Sequence, residues 1–316
     1  MTSHALPAGK PKASRAAFGE ALVELGARDD RIVTLDADLS KSTMTAAFAK
    51  AYPSRAFNVG IAESTMIGTA AGLALTGRVP FACSFACFLV GRFETIRVSV
   101  AYNQAPVKLV GTHVGVAIGE DGYTQMGLED VACMRALPNI PIVQPGDEIE
   151  TKQAVAYAVD HAGPIYLRLT RQNLEPVHAA SYRFELGRAP VLREGHDVAI
   201  LGTGGPLWNC LEAARALAEQ GIQAEVLNVS SIRPLDEAAI LRAAGKTGHV
   251  VTVEDHSPSG GMGGAVAELL GEMMPTPLQR LGVSSFGESG DAKGLYAKHG
   301  LDPAGIARSV LKFLNR

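Results

Sequence analysis

A single ionisable side chain interrupts an otherwise apolar, small-residue run from residue 61 to 76: Glu63, in Ile61-Ala62-Glu63-Ser64-Thr65-Met66. An acid at the start of a helix gains from the positive end of the dipole. One buried among Ile61, Met66 and Ile67 is also placed to hold or share a proton, which is acid–base chemistry. Capping the helix is the plainer role open to an isolated acid at such a place. Gly68, Ala70, Ala71, Gly72 and Ala74 would let a second backbone lie close against the same helix. Further along, Phe85 and Phe88 stand three residues apart just before a helical stretch.

These groups need elements to hold them, and the chain alternates helices with short apolar strands. Residues 14–26 are predicted to form a helix capped by Ser14, residues 31–36 a buried strand and residues 44–52 a short helix. An edge-like strand at 57–59 precedes the Glu63 helix, and strands at 78–83 and 107–112 flank a helix over 89–103. A turn-rich loop at 115–127 leads to a helix over 128–136, a strand at 141–145, a helix over 151–162 and a strand at 164–169. Pro176, Gly187, Pro190 and Gly195 then mark a linker. A second series follows, with strands at 197–201, 224–229, 249–253 and 278–281 and helices at 207–220, 237–244, 264–273 and 303–314. Strands separated by helices imply an α/β protein of two consecutive three-layer αβα domains with mostly parallel sheets. The expected division is a flexible lead-in at 1–12, domains at 13–177 and 196–316, and a linker at 178–195. Gly202-Thr203-Gly204-Gly205 and Gly260-Gly261-Met262-Gly263-Gly264 lack the G-x-G-x-x-G spacing of a dinucleotide loop and read as turn glycines.

A chain of 316 residues, 47% hydrophobic, has room for both cores. A net charge of −3 without a basic cluster gives no electrostatic case for nucleic acid or an anionic membrane. The first twelve residues carry no apolar core of a signal peptide, and Gly77-Arg78-Val79-Pro80 breaks the longest apolar stretch, so the expected compartment is the cytoplasm. Cys83, Cys87, Cys133 and Cys210 are too few for a disulfide scaffold and read as buried thiols.

The Ile-Ala-Glu-x-x-Met element around Glu63, the Ser-Phe-x-x-Phe element of Phe85 and Phe88, and Gly119-Glu120-Asp121-Gly122-Tyr123-Thr124-Gln125 resemble the pyrimidine-binding domain of transketolases. The resemblance runs from about Lys12 to the C-terminus. It implies thiamine diphosphate as cofactor, with Glu63 hydrogen-bonded to a nitrogen of its aminopyrimidine and Phe85 and Phe88 packed on that ring. Asp38 and Ile61 would complete the cofactor-side contacts. It further implies that Arg15, Ser42, His113 and Arg171 contact a sugar phosphate, that Asp121 contacts a donor hydroxyl, and that Gln125 stands where the family has His or Gln. Two guanidiniums, an imidazole and a hydroxyl make a reasonable oxyanion clamp, because arginine binds phosphate through paired donors. Gly91 departs from the family, whose members carry a larger residue there, and leaves local cofactor contacts open.

The larger departure is an absence. Transketolases hold the diphosphate and Mg²⁺ with a Gly-Asp-Gly element and a downstream Asn, and no Gly-Asp-Gly occurs in this sequence. The resemblance thus implies the C-terminal (beta) subunit of a split transketolase, with no metal ligands of its own. An N-terminal subunit would supply the diphosphate domain, around a homodimeric core that becomes an α₂β₂ complex. The alternatives are the E1 beta subunit of a 2-oxoacid dehydrogenase, a 1-deoxyxylulose-phosphate-synthase-like carboligase, and a non-catalytic regulatory partner that retains the fold.

Overall fold

The computed structural model describes residue 7 and residues 9–315, so most of the lead-in expected at residues 1–12 lies outside the described residues. Among the described residues fourteen strands follow one another: β1 (Lys12–Ala13), β2 (Ile32–Asp36), β3 (Ala56–Asn58), β4 (Val79–Phe85), β5 (Lys108–Thr112), β6 (Ile142–Val143), β7 (Ile165–Arg168), β8 (Asn173–Leu174), β9 (Val191–Arg193), β10 (Val198–Gly202), β11 (Ala224–Asn228), β12 (Ser231–Arg233), β13 (Val250–Val253) and β14 (Leu278–Leu281). The seven-stranded first sheet has the order β12-β6-β7-β5-β4-β2-β3 and the five-stranded second sheet the order β14-β13-β10-β11-β9. Every residue of β2, β4, β5 and β10 is buried, as in strands covered by helices on both faces. The two sheets are mostly parallel, which agrees with the α/β expectation.

The exceptions carry information. β12 runs antiparallel against β6, so a segment that follows β11 of the second sheet completes the first. β9 lies antiparallel on β11 as an edge strand, in a stretch expected to be only linker. A short helix, Ala292–Lys298, is also absent from the sequence expectation. None among the described helices is long and apolar enough to cross a membrane.

Parallel pairing gathers the strand ends. β2, β4, β5 and β7 are neighbours, and Phe85 pairs with Thr112 at the ends of β4 and β5. The loops that follow them carry residues 38–42, 86–88, 113 and 169–171 to one rim, where open α/β sheets bind ligands.

Several local expectations need correction. Ser14 does not cap its helix: Ser14–Gly26 takes Ala13 as N-cap. The Ser14 hydroxyl instead accepts from the Thr170 amide at 2.7 Å and meets the Thr170 hydroxyl at 3.0 Å, tying the helix to the end of the first sheet. The helix expected at 89–103 is broken into Ala86–Val90, Phe93–Thr95 and a π-helix, Ile96–Tyr102, with exposed Gly91 capping the first piece. Residues 44–52 resolve into a helix over Ala46–Ala51 only, because Met44 takes a left-handed φ of 68°. The acidic helix begins earlier than expected, at Glu148–Asp160, with Asp147 accepting from the Glu150 amide as its cap.

The two glycine clusters serve close approach. A Cβ on Gly205 would collide with the Tyr296 hydroxyl, and one on Gly261 with the Glu254 carboxylate. The space left beside Gly261 lets buried Glu254 accept from the Met262 and Gly263 amides at 2.7 and 2.8 Å. Burial nonetheless pushes Glu254 up to about 7.

Between the sheets lies fully buried Arg168, bonded at 2.8 Å to Asp130 and at 2.8 Å to Asp255, both without solvent exposure. Tyr166 donates to Asp130 and Gln144 to Asp255, so each carboxylate also accepts from a neutral donor. Breaking a buried ion network from one side leaves uncompensated charge. Arg168→Leu should therefore lower stability by ~3–5 kcal/mol, read as a drop in the urea midpoint of the purified chain; an unchanged midpoint would contradict the network.

Candidate functional site

The site is assembled at the rim of the first sheet. Phe85 ends β4 and Phe88 comes one helical turn later; their rings stack at 5.3 Å with planes 16° apart. Phe85 also stacks on the His113 imidazole, with centroids 3.7 Å apart. His113 follows β5 with φ of 58°, and Asp38 follows β2 with φ of 66°. Left-handed backbone is costly for such residues and gathers at functional positions.

Hydrogen bonding settles how His113 is protonated. Arg15 Nη1, which can only donate, lies 3.2 Å from His113 Nε2. That nitrogen must accept, so Nδ1 carries the proton and donates to the Thr112 hydroxyl at 2.9 Å. The Thr112 hydroxyl in turn donates to the Ser84 carbonyl. Burial first, and the positive charges of Arg15 and Arg171 after it, push His113 down to about 3, so it is neutral across the physiological range.

Arg15 donates 2.7 Å to the Ser42 carbonyl, and no carboxylate among the described residues pairs with it. Its pKa is lowered, chiefly by burial and then by repulsion from Arg171. Arg171 is better compensated: Nη1 reaches Asp121 Oδ2 at 2.8 Å and also donates to the Ile118 carbonyl. Arg15, Ser42, His113, Asp121, Gln125 and Arg171 all line one open cleft of 580 Å³, together with Phe85, Leu39 and Lys41. Lys41 does not stand out in the sequence, although it lies inside Ser40-Lys41-Ser42; as an exposed lysine beside Ser42 it adds a third cation to the cleft.

The remaining candidates, Phe88, Glu63, Asp38 and Ile61, are not among the residues that line this cleft. Glu63 opens the helix Glu63–Leu75 and is 6% exposed. It does not cap: Ala62 is the N-cap, no side chain bonds the helix end, and no described residue hydrogen-bonds the Glu63 carboxylate. Met66 and Ile67 are buried, but Ile61, expected to help bury Glu63, is 85% exposed and faces outward. Asp38 is exposed and bonded at 3.1 Å to the Asn58 amide group. Gly91 presents no side chain at the exposed end of its helix, three residues beyond Phe88. No group of three or more His, Cys, Asp or Glu suited to a metal ion occurs among the described residues.

Fold and cleft together define a two-domain α/β protein with a cleft at the strand ends of its first sheet that is lined by Arg15, Lys41 and Arg171. Residues 10–176 match the transketolase pyrimidine-binding domain and residues 187–306 the transketolase C-terminal domain, and the chain belongs to the transketolase family. It is 44% identical over 304 residues to the 6-deoxy-6-sulfo-D-fructose transketolase subunit SqwH of Clostridium sp. (strain MSTE9), covering 96% of this chain and 94% of that one. It is 38% identical over 307 residues to an apulose-4-phosphate transketolase subunit of Phocaeicola vulgatus, covering 96% and 98%. A solved split gene transketolase, described as an inactive beta4 tetramer, superposes with a TM-score of 0.89 at 44% identity, covering 96% of this chain and 98% of that one.

A histidine held neutral by burial binds fewer protons folded than unfolded, so its contribution to stability is present above its ordinary value of 6.5 and is lost as pH falls toward about 3. Urea midpoints measured from pH 7 down to pH 4 should decline less steeply for His113→Asn than for the wild type. Parallel declines would show that His113 does not titrate with unfolding.

Proposed function

We propose that this chain is the C-terminal (beta) subunit of a split transketolase, moving a two-carbon ketol unit between sugars that end in a phosphate or another strong anion. The observation that carries the reading is Arg15: a half-buried guanidinium with no carboxylate partner among the described residues, repelled by Arg171 across a cleft that Lys41 also enters. A bound dianion relieves that repulsion and supplies acceptors matched to paired N–H donors. The names of two relatives point the same way, since one names a sulfonated and the other a phosphorylated sugar. Both are transketolase subunits, which favours ketol transfer over the 2-oxoacid dehydrogenase and deoxyxylulose phosphate alternatives.

The residues present fit the pyrimidine end of thiamine diphosphate. Glu63 is a largely buried residue whose carboxyl group has no hydrogen-bond partner among the described residues, and Phe85 and Phe88 provide a stacked aromatic surface. When bound, the cofactor supplies the electron sink that stabilises the transferred fragment as a carbanion. Glu63 would hold the proton at a ring nitrogen, and the Phe pair would fix the ring and exclude water. Arg15, Arg171, Lys41 and the Ser42 hydroxyl would grip the substrate's terminal anion. Asp121 would accept from a donor hydroxyl, with Gln125 beside it. His113, neutral and fixed by Thr112, presents no charge to compete with Arg15 and stacks against Phe85.

The Mg²⁺-diphosphate end is assigned to a partner chain, because the sequence lacks the Gly-Asp-Gly element. The exposed face of Glu63–Leu75 supports an assembly: nothing lies within 4 Å of a Cβ added at Gly68 or Gly72, while Ile61 and Leu75 are 85% and 64% exposed. Small residues flanked by unburied aliphatic ones suit a closely packed subunit contact, here a homodimeric core extended to α₂β₂.

Three outcomes are expected. Glu63→Gln should reduce kcat of the reconstituted enzyme by at least ~10²-fold, the scale of general acid–base catalysis; near-normal turnover would remove Glu63 from the chemistry. Arg15→Ala should raise KM for an anionic sugar by about 10- to 100-fold, the weight of a charge-assisted hydrogen bond, and leave a neutral sugar analogue unaffected. Calorimetry with thiamine diphosphate and Mg²⁺ should show weak binding to the chain alone and tight binding, with turnover, once the diphosphate-domain subunit is added. Turnover without that subunit would refute the split-enzyme reading.

A further inference from the structure

The second domain reaches the cleft along two routes. On the first, Gln172, the residue after Arg171, donates to the Tyr296 hydroxyl at 2.5 Å. Tyr296 lies in the helix Ala292–Lys298 of the second domain and donates to Asp255 Oδ2 at 3.2 Å. Asp255 is held by Arg168, whose Nη2 donates to the Gly127 carbonyl at 2.9 Å. Gly127 is the foot of the loop that carries Asp121 and Gln125, and its N–H closes the loop by donating to the His113 carbonyl at 3.1 Å. Glycines make room for this relay: a Cβ at Gly205 would strike both Tyr296 and Gln172, and one at Gly115 would strike Asp255.

On the second route the same loop is braced from outside. The Gly290 amide donates to the Gly119 carbonyl at 3.3 Å, and Ser289 Oγ would sit 2.8 Å from a Cβ at Gly122. The Phe286 ring meets Tyr123 edge-on at 4.6 Å, although Phe286 itself is 77% exposed. Arg171 takes both of its anchors, Ile118 and Asp121, from this loop. Its position is therefore fixed by second-domain residues from two directions.

We propose that the second domain belongs to the substrate-recognition apparatus: Tyr296 is a positioning residue that sets Arg171 through Gln172, and residues 286–290 brace the loop that carries Asp121. The inference rests on the reading of the cleft as an anion site, with the spacing between Arg15 and Arg171 set partly from the second domain. In this arrangement changes at Tyr296 or Phe286 alter the grip on the anion without touching Glu63.

The test uses the full chain and inorganic phosphate, with binding followed by calorimetry, and then the enzyme reconstituted with its diphosphate-domain subunit. Tyr296→Phe keeps the ring and deletes the hydroxyl; Phe286→Ala alters an exposed residue and carries little risk to folding. Each should weaken phosphate binding by about 3- to 10-fold, the weight of one neutral hydrogen bond or ring contact. Each should raise KM for an anionic sugar to a similar degree, with kcat held within about 2-fold and KM for a neutral sugar analogue unchanged. A purely structural role would lower the melting temperature without this split. Wild-type phosphate binding with wild-type KM in both variants overturns the inference and leaves the anion site standing. Failure of the wild-type chain to bind phosphate removes the anion-site reading, and this inference with it.

Discussion

The guanidinium of Arg168 has no access to water, so its charge must be met inside the protein, and the groups that meet it come from both domains. Asp130 belongs to a helix beside the first sheet and Asp255 follows β13 of the second, so neither domain can satisfy its share alone. An ion network of this kind is a weak source of net stability but a strong source of geometric definition, because displaced partners leave bare charge in a medium that cannot screen it. The site loop inherits that definition through the Gly127 carbonyl.

The cleft shows the opposite treatment of charge. Arg15 is held by a backbone carbonyl and a neutral imidazole, neither of which cancels its charge, while burial and Arg171 act against it. The protein thus keeps a cation without an ion-pair partner among the described residues at a half-buried position, which is unfavourable for the charged form. Neutral His113 fits that arrangement: as an imidazolium it would add to the repulsion, and as a hydrogen-bond acceptor it orients Arg15.

Much of this could be read from residue order. The strands of the first sheet announce themselves as runs such as Ile32-Val33-Thr34-Leu35, and Glu63 stands out as an acid in an apolar run. The residues that gather around the cleft were carried by short motifs. Features decided by tertiary contact were not legible. Ser14 has the form of a cap, but its hydroxyl is taken by Thr170, 156 residues away. Ile61 is apolar and yet 85% exposed, because hydrophobicity does not say whether a residue is buried in its own chain or kept for another. The helix expected over 89–103 carries no proline; its break follows Gly91 and a local change to π-helical bonding that periodicity does not register. Lys41 lies between two serines of the cleft motif, where a surface lysine has no distinguishing neighbours in sequence. The Arg168 network joins residues 87 apart, and the glycines that make space for it resemble ordinary turn glycines until the buried side chains are seen.

The placement of β12 bears on how such a protein can be taken apart. Sequence motifs present two modules joined by a linker, which invites their exchange between related proteins. Yet β12 leaves the second domain to pair with β6, and a first domain transplanted alone would expose the hydrogen-bonding edge of β6 to any strand that could add to it. The unit of recombination is therefore the pair of domains, and a first domain separated at the linker carries an open edge with a built-in tendency to self-associate.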